Sequence, residues 1–243
     1  MTPKEAVDLN RFRTITLKEQ KLYRLIPSRF PPVDLYERVA ERECWGEIFA
    51  LEEKTNPRLR KAAEAGDNAA PAQNWNAAPF AYPKPRGTSF TRPRDTALVA
   101  FSTQEAALWM SLVQRAAFLF ECDMPPTKVI TRLLVTPVTG CFLDWTDQDM
   151  TEDRAERVEI AERCRLTDGV DGVAFRHPDY PHADAYCILK EPVLGQTCQS
   201  RHFSYTWNGD KFTEVHDSSL SNDPRESAID IDALKSGAPV LAA

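Results

Sequence analysis

The sequence predicts an α+β domain, a compact mixed sheet with flanking helices. Three observations carry that expectation. Residues 128–138 (KVITRLLVTPV) are rich in β-branched and apolar residues, the pattern of a strand. Residues 104–119 form a strongly apolar helical pattern, with Ala106, Ala107, Leu108, Trp109, Met110, Leu112, Val113 and Ala116 leaving few polar positions. Short strand patterns then follow one another in the last third of the chain.

In chain order, residues 1–20 are polar and read as an arm or short helix. The apolar run 22–26 is interrupted by Arg24. A guanidinium left unpaired in apolar surroundings costs several kcal/mol, so Arg24 either snorkels to water or faces an anion. Pro27, Pro31 and Pro32 impose an extended, turning path. A helix over 44–54 follows, with Trp45, Ile48, Phe49 and Leu51 on its apolar side. Residues 66–95, rich in Pro, Ala and Asn, read as a long surface loop. Its basic cluster, Lys84, Arg86, Arg92 and Arg94, fits either a phosphate-facing loop or a solvated one.

A strand is expected over 96–101, and Ser102 with Glu105 has the spacing of a capping box for the apolar helix. Asp149 and Glu152 are placed to cap a second helix over 152–165, with Ala155, Val158, Ala161 and Cys164 inward. Strands are expected over 172–175 and 185–189, then a hairpin of 201–207 with 211–215. Its Asn208-Gly209 pair suits a type I′ turn. Beyond His216 the chain is acidic and Ser-rich, and a poorly ordered tail is expected. The resulting division is an arm (1–20), one domain (21–216, including the 66–95 loop) and a flexible acidic tail (217–243).

The 243 residues and 42% hydrophobic content suffice for one domain with a real core. A net charge of −6 gives no basis for bulk nucleic-acid binding. No apolar run reaches membrane-spanning length, and MTPKEAVDLN lacks a signal-peptide core, so no membrane association is expected. Six scattered cysteines without a CxxC pair read as reduced, mostly buried thiols of a cytoplasmic protein.

The Tyr23-Arg24 pair, the SRFPP turn, the DLYERV segment and the TNPRLR end, in that order, resemble the opening of longer bacterial RES-domain proteins. The family is named for an Arg, a Glu and a Ser. The resemblance covers roughly 22–215 and implies an ADP-ribosyltransferase-like RES fold. It also implies binding and breakdown of NAD+ and a toxin role, with a cognate Xre-like antitoxin or other protein as partner. No metal is expected.

Breaking a nicotinamide–ribose bond requires the pyrophosphate to be held, the nicotinamide clamped and the oxocarbenium-like transition state stabilised. Arg24 matches the family's first arginine, which implies phosphate or ribose contact; a surface or salt-bridged role is the plain alternative. Ser89 stands where the family usually has an arginine, and Val99 where it has a tyrosine. Met110 matches the family glutamate and His177 the family serine. A thioether cannot replace a carboxylate, so both naming catalytic residues are substituted.

The His177, Asp179, His182 and Asp184 group has metal-ligand chemistry, but Pro178 and Pro181 favour a polar turn. His202 and His216 read as structural residues of the terminal hairpin, and there is no GxSxG, HExxH, P-loop or GxGxxG motif. Three readings follow: an active NAD+-consuming toxin, a catalytically degenerate RES-like module that binds a nucleotide or a protein, and an enzyme of altered specificity using His177 as acid or base. Substitution at four positions favours the second.

Overall fold

A computed structural model describes residues 9, 12–28, 41–55, 75–76, 78–148, 153–219 and 227–241. Most of the SRFPP and DLYERV segments, nearly all of the TNPRLR end, much of the 66–95 loop, and both expected caps Asp149 and Glu152 lie outside the described residues.

Among the described residues, seven strands form one mixed sheet: β1 (Thr14–Pro27), β2 (Leu98–Phe101), β3 (Thr127–Trp145), β4 (Gly172–His177), β5 (Tyr180–Ile188), β6 (Cys198–Trp207) and β7 (Phe212–Asp217). Their order is β1-β2-β5-β4-β3-β6-β7, and β1 also pairs antiparallel with β3. One edge of the long β3 therefore runs along β1, while its other partners are β6 near its start and β4 near its end. Tyr23 opposite Phe101 joins β1 to β2, so strands β3-β4-β5-β2-β1 close on themselves. Among the described residues, only the β3–β4 pairing is parallel.

Strand alternation divides the core in two. Ala185 and Cys187 of β5 pack with Phe175, Leu143 and Phe203 in the larger cluster. Their neighbours Tyr186 and Ile188 join Leu22, Leu98, Val138 and Phe142 in the second. The helices are α1 (Trp45–Thr55), α2 (Ala78–Ala81), α3 (Gln104–Glu121), α4 (Arg154–Leu166) and α5 (Ile231–Lys235). Helix α3 buries Ala106, Ala107, Leu108, Met110, Leu112 and Leu119, as its apolar pattern predicts. No helix among the described residues is long and apolar enough to cross a membrane.

Several local expectations differ from what is seen. Residues 14–20 belong to β1 rather than to an arm or helix; Glu19, at φ 51°, marks the irregularity where its N–H donates to Thr139 Oγ1 at 3.0 Å. The α3 cap is Thr103, whose hydroxyl accepts from Ala106 N–H at 3.2 Å, so Ser102 and Glu105 form no capping box. Helix α4 is capped by Asp153, accepting from Ala155 N–H at 2.8 Å, and Ala155 is exposed rather than inward. Leu51 of α1 is 62% exposed instead of packed.

In the β6–β7 hairpin Gly209 has φ 103° while Asn208 keeps a negative φ, which excludes type I′. Asn208 Oδ1 instead accepts from Asp210 and Lys211 N–H, an Asx-type turn. The region read as a polar loop around Pro178 and Pro181 is largely strand, because β5 begins at Tyr180. Residues 227–241, expected to be poorly ordered, dock on the domain: Ile229 N–H donates to Val215 carbonyl at 2.8 Å, and Leu234 is fully buried.

Candidate functional site

A cleft of about 420 Å³ opens between β1, β2, the 82–97 segment, helix α3 and the end of β4. All five positions nominated from the sequence, Arg24, Ser89, Val99, Met110 and His177, line it. Residues widely separated in the chain thus meet at one place because β1 joins β2 and α3 covers that junction.

Arg24 projects from β1, and its Nη2 donates to the Trp75 carbonyl at 2.8 Å. Burial lowers its pKa to about 10, which leaves it charged at neutral pH. Thus it is neither snorkelled nor salt-bridged to a carboxylate among the described residues; it is a desolvated cation held at the cleft wall.

Met110 is 2% exposed and presents a thioether where a RES glutamate is expected. Val99 lies half-buried on β2. His177 sits at the end of β4, where its Nδ1 accepts from Asp179 N–H at 3.2 Å. That bond places the neutral ring's proton on Nε2. Burial lowers the His177 pKa and the nearby Asp179 carboxylate opposes the shift.

Ser89 lies in a tight loop stapled by α4. Arg154 donates to the Thr88 and Thr91 carbonyls at 3.2 and 3.0 Å, and Arg157 Nε to the Ser89 carbonyl at 3.4 Å. Gly87 makes the loop possible: its φ is 71°, and a Cβ there would stand 2.2 Å from the Thr91 carbonyl oxygen. Of the basic cluster, Lys84 reaches the cleft, while Arg92 pairs with Glu162 at 2.8 Å. Arg86 and Arg94 are exposed.

Other cleft residues were not singled out by the sequence argument. Phe90 and Phe175 meet in a tilted contact, ring centroids 4.8 Å and planes 54° apart, and with Phe101 they line the cleft with largely buried apolar rings. Ser111, Gln114 and Arg115 come from α3, and Asp95 is the single acid among the described lining residues. Ala107, Met110, Ser111 and Gln114 follow i, i+3, i+4, i+7 spacing, so polar residues on one stripe of an apolar helix were a readable sign. Among the described lining residues the cations Arg24, Lys84 and Arg115 therefore outnumber carboxylates, and the cleft suits an anionic ligand that also carries an apolar or aromatic group. Among the described residues, no group of three or more His, Cys, Asp or Glu is arranged to hold a metal ion.

No protein-family model matches the chain. It is 36% identical over 207 residues to the uncharacterized protein y4oC of Sinorhizobium fredii, an alignment covering 83% of this chain and 89% of that protein. The chain belongs to the y4oC family. The aligned length is large enough that the y4oC family shares the domain as a whole rather than one motif of it.

Proposed function

We propose that the cleft is the nucleotide site of a RES-like domain that holds NAD+ or a related nucleotide without the family's means of cleaving it. One observation carries the reading: the five positions matched to RES site residues converge on a single cleft. The cationic side that phosphates require is kept in Arg24, whereas buried Met110 fills the place of the glutamate with an apolar group. Phe90, Phe101 and Phe175 supply an apolar lining against which a base or nicotinamide ring packs.

On this reading the protein acts in the cytoplasm as a divergent relative of toxin components. Its protein partner is an Xre-like antitoxin or a protein serving in its place. Titration of NAD+ into the wild type and Arg24→Ala tests the site. Removing a charge-assisted hydrogen-bond donor is expected to weaken binding roughly tenfold or more. Equal affinity of the two proteins would remove Arg24 from the site.

A second reading, an active NAD+ phosphorylase, glycohydrolase or ADP-ribosyltransferase with altered residues, draws on Asp95 and His177. Both lie in the cleft, one a carboxylate and the other a neutral imidazole. Nicotinamide release that is lost in Asp95→Asn would favour it.

A further inference from the structure

We infer that Ser111 and Arg115, one turn apart on α3, form a second anion subsite in the cleft that receives a phosphoryl or carboxylate group. The inference rests on the proposed ligand site and adds that helix α3 takes an anion in the cleft that Arg24 of β1 also lines.

Both side chains line the cleft, and i,i+4 spacing puts them on one face of α3. Arg115 is half-buried and has no hydrogen bond or ion pair among the described residues. Desolvation lowers its pKa. A desolvated guanidinium without a counter-ion is costly, and an incoming anion removes that cost.

Ser111 is oriented from beneath. Thr131 Oγ1 donates to Tyr205 Oη at 2.9 Å, and Tyr205 Oη donates to Ser111 Oγ at 3.2 Å. Tyr205 is fully buried, and burial raises its pKa to about 12, so its proton stays in place. The hydroxyl chain thus ends with Ser111 accepting from below and its own O–H left to donate. A donor hydroxyl one helical turn from a guanidinium is a fitting pair for an oxyanion.

The test titrates inorganic phosphate, acetate, NAD+ and uncharged adenosine into wild type, Ser111→Ala, Arg115→Met and Arg115→Lys, with circular dichroism as the check of folding. Wild type is expected to bind phosphate or acetate, and whichever binds more tightly identifies the anion. Arg115→Met should weaken that anion roughly tenfold or more and Ser111→Ala severalfold, with adenosine unaffected. Arg115→Lys should recover part of the loss. Should Arg115→Met fail to fold, Arg115→Lys and Ser111→Ala carry the test with the same readout. Folded variants that keep wild-type anion affinity, or a wild type that binds neither anion, overturn the inference. Arg115-dependent anion binding with no NAD+ binding would leave the subsite standing and remove the nucleotide reading.

Discussion

Tyr205 on β6 donates its hydroxyl hydrogen to Ser111 Oγ on α3 across 3.2 Å, a link between residues 94 positions apart. It ties the floor of the cleft to the covering helix. Tyr205→Phe keeps the ring, which meets Phe212 edge-on at 5.4 Å, and removes both hydroxyl bonds. A loss of about 1–2 kcal/mol is expected in denaturant unfolding. The variant should also weaken anion binding, because Ser111 is then free to turn its proton inward. Unchanged stability and affinity would show the link to be idle.

Arg154 holds the 86–91 loop through backbone carbonyls alone. Arg154→Ala should speed amide exchange across residues 84–91 while shifting global stability by less than about 1 kcal/mol, since the side chain is partly exposed. Exchange confined to wild-type rates would contradict the staple.

Much of the sheet and both longer helices were legible because their residues carry one dominant pattern. Helix α3 is apolar around most of its surface, and the central run of β3 is rich in β-branched residues. The first half of β1 was hidden: Lys18, Glu19, Gln20 and Lys21 are exposed positions of a strand bent at Glu19, so charge masked the extended backbone. The docked C-terminal segment was hidden by composition, since Ile229, Leu234 and Leu241 are spaced among Asp, Ser and Gly. In the cleft, Arg24 stood out as a charge inside an apolar run. Arg115 did not, because an arginine near the end of a helix is ordinarily solvated; only the closure of β1 onto β2 beside α3 brings it to the same cleft as Arg24.

His177 gives a pH dependence of defined sign. Its folded pKa is lowered, chiefly by burial, below the ordinary 6.5. Between those two values the unfolded chain binds more protons, so stability rises with pH through this window. The contribution is present in full above 6.5 and is lost as pH falls toward the folded value. His177→Gln should flatten that part of the stability–pH curve, and the His177 ring should titrate below 6.5 by NMR. An unaltered curve would place the dependence elsewhere.

Thiol reactivity separates five of the six cysteines. Contrary to the expectation of mostly buried thiols, Cys44, Cys122 and Cys198 are exposed and Cys141 is half-buried, whereas Cys164 and Cys187 are buried with pKa values raised to about 11 and about 12. Iodoacetamide at pH 8 should label the exposed three rapidly in the native protein and the buried two only after unfolding, as read by peptide mass spectrometry. Rapid native labelling of Cys187 would contradict the β4–β5 packing.

The proposed nucleotide cleft carries the buried Met110 thioether at the position matched to the RES glutamate. Proton NMR of NAD+ mixed with the purified, folded protein, with and without phosphate, tests it most directly. The account predicts saturation transfer from protein to NAD+ and no free nicotinamide over time. Accumulating nicotinamide would contradict the loss of catalysis, and absence of any transfer would contradict the nucleotide site itself.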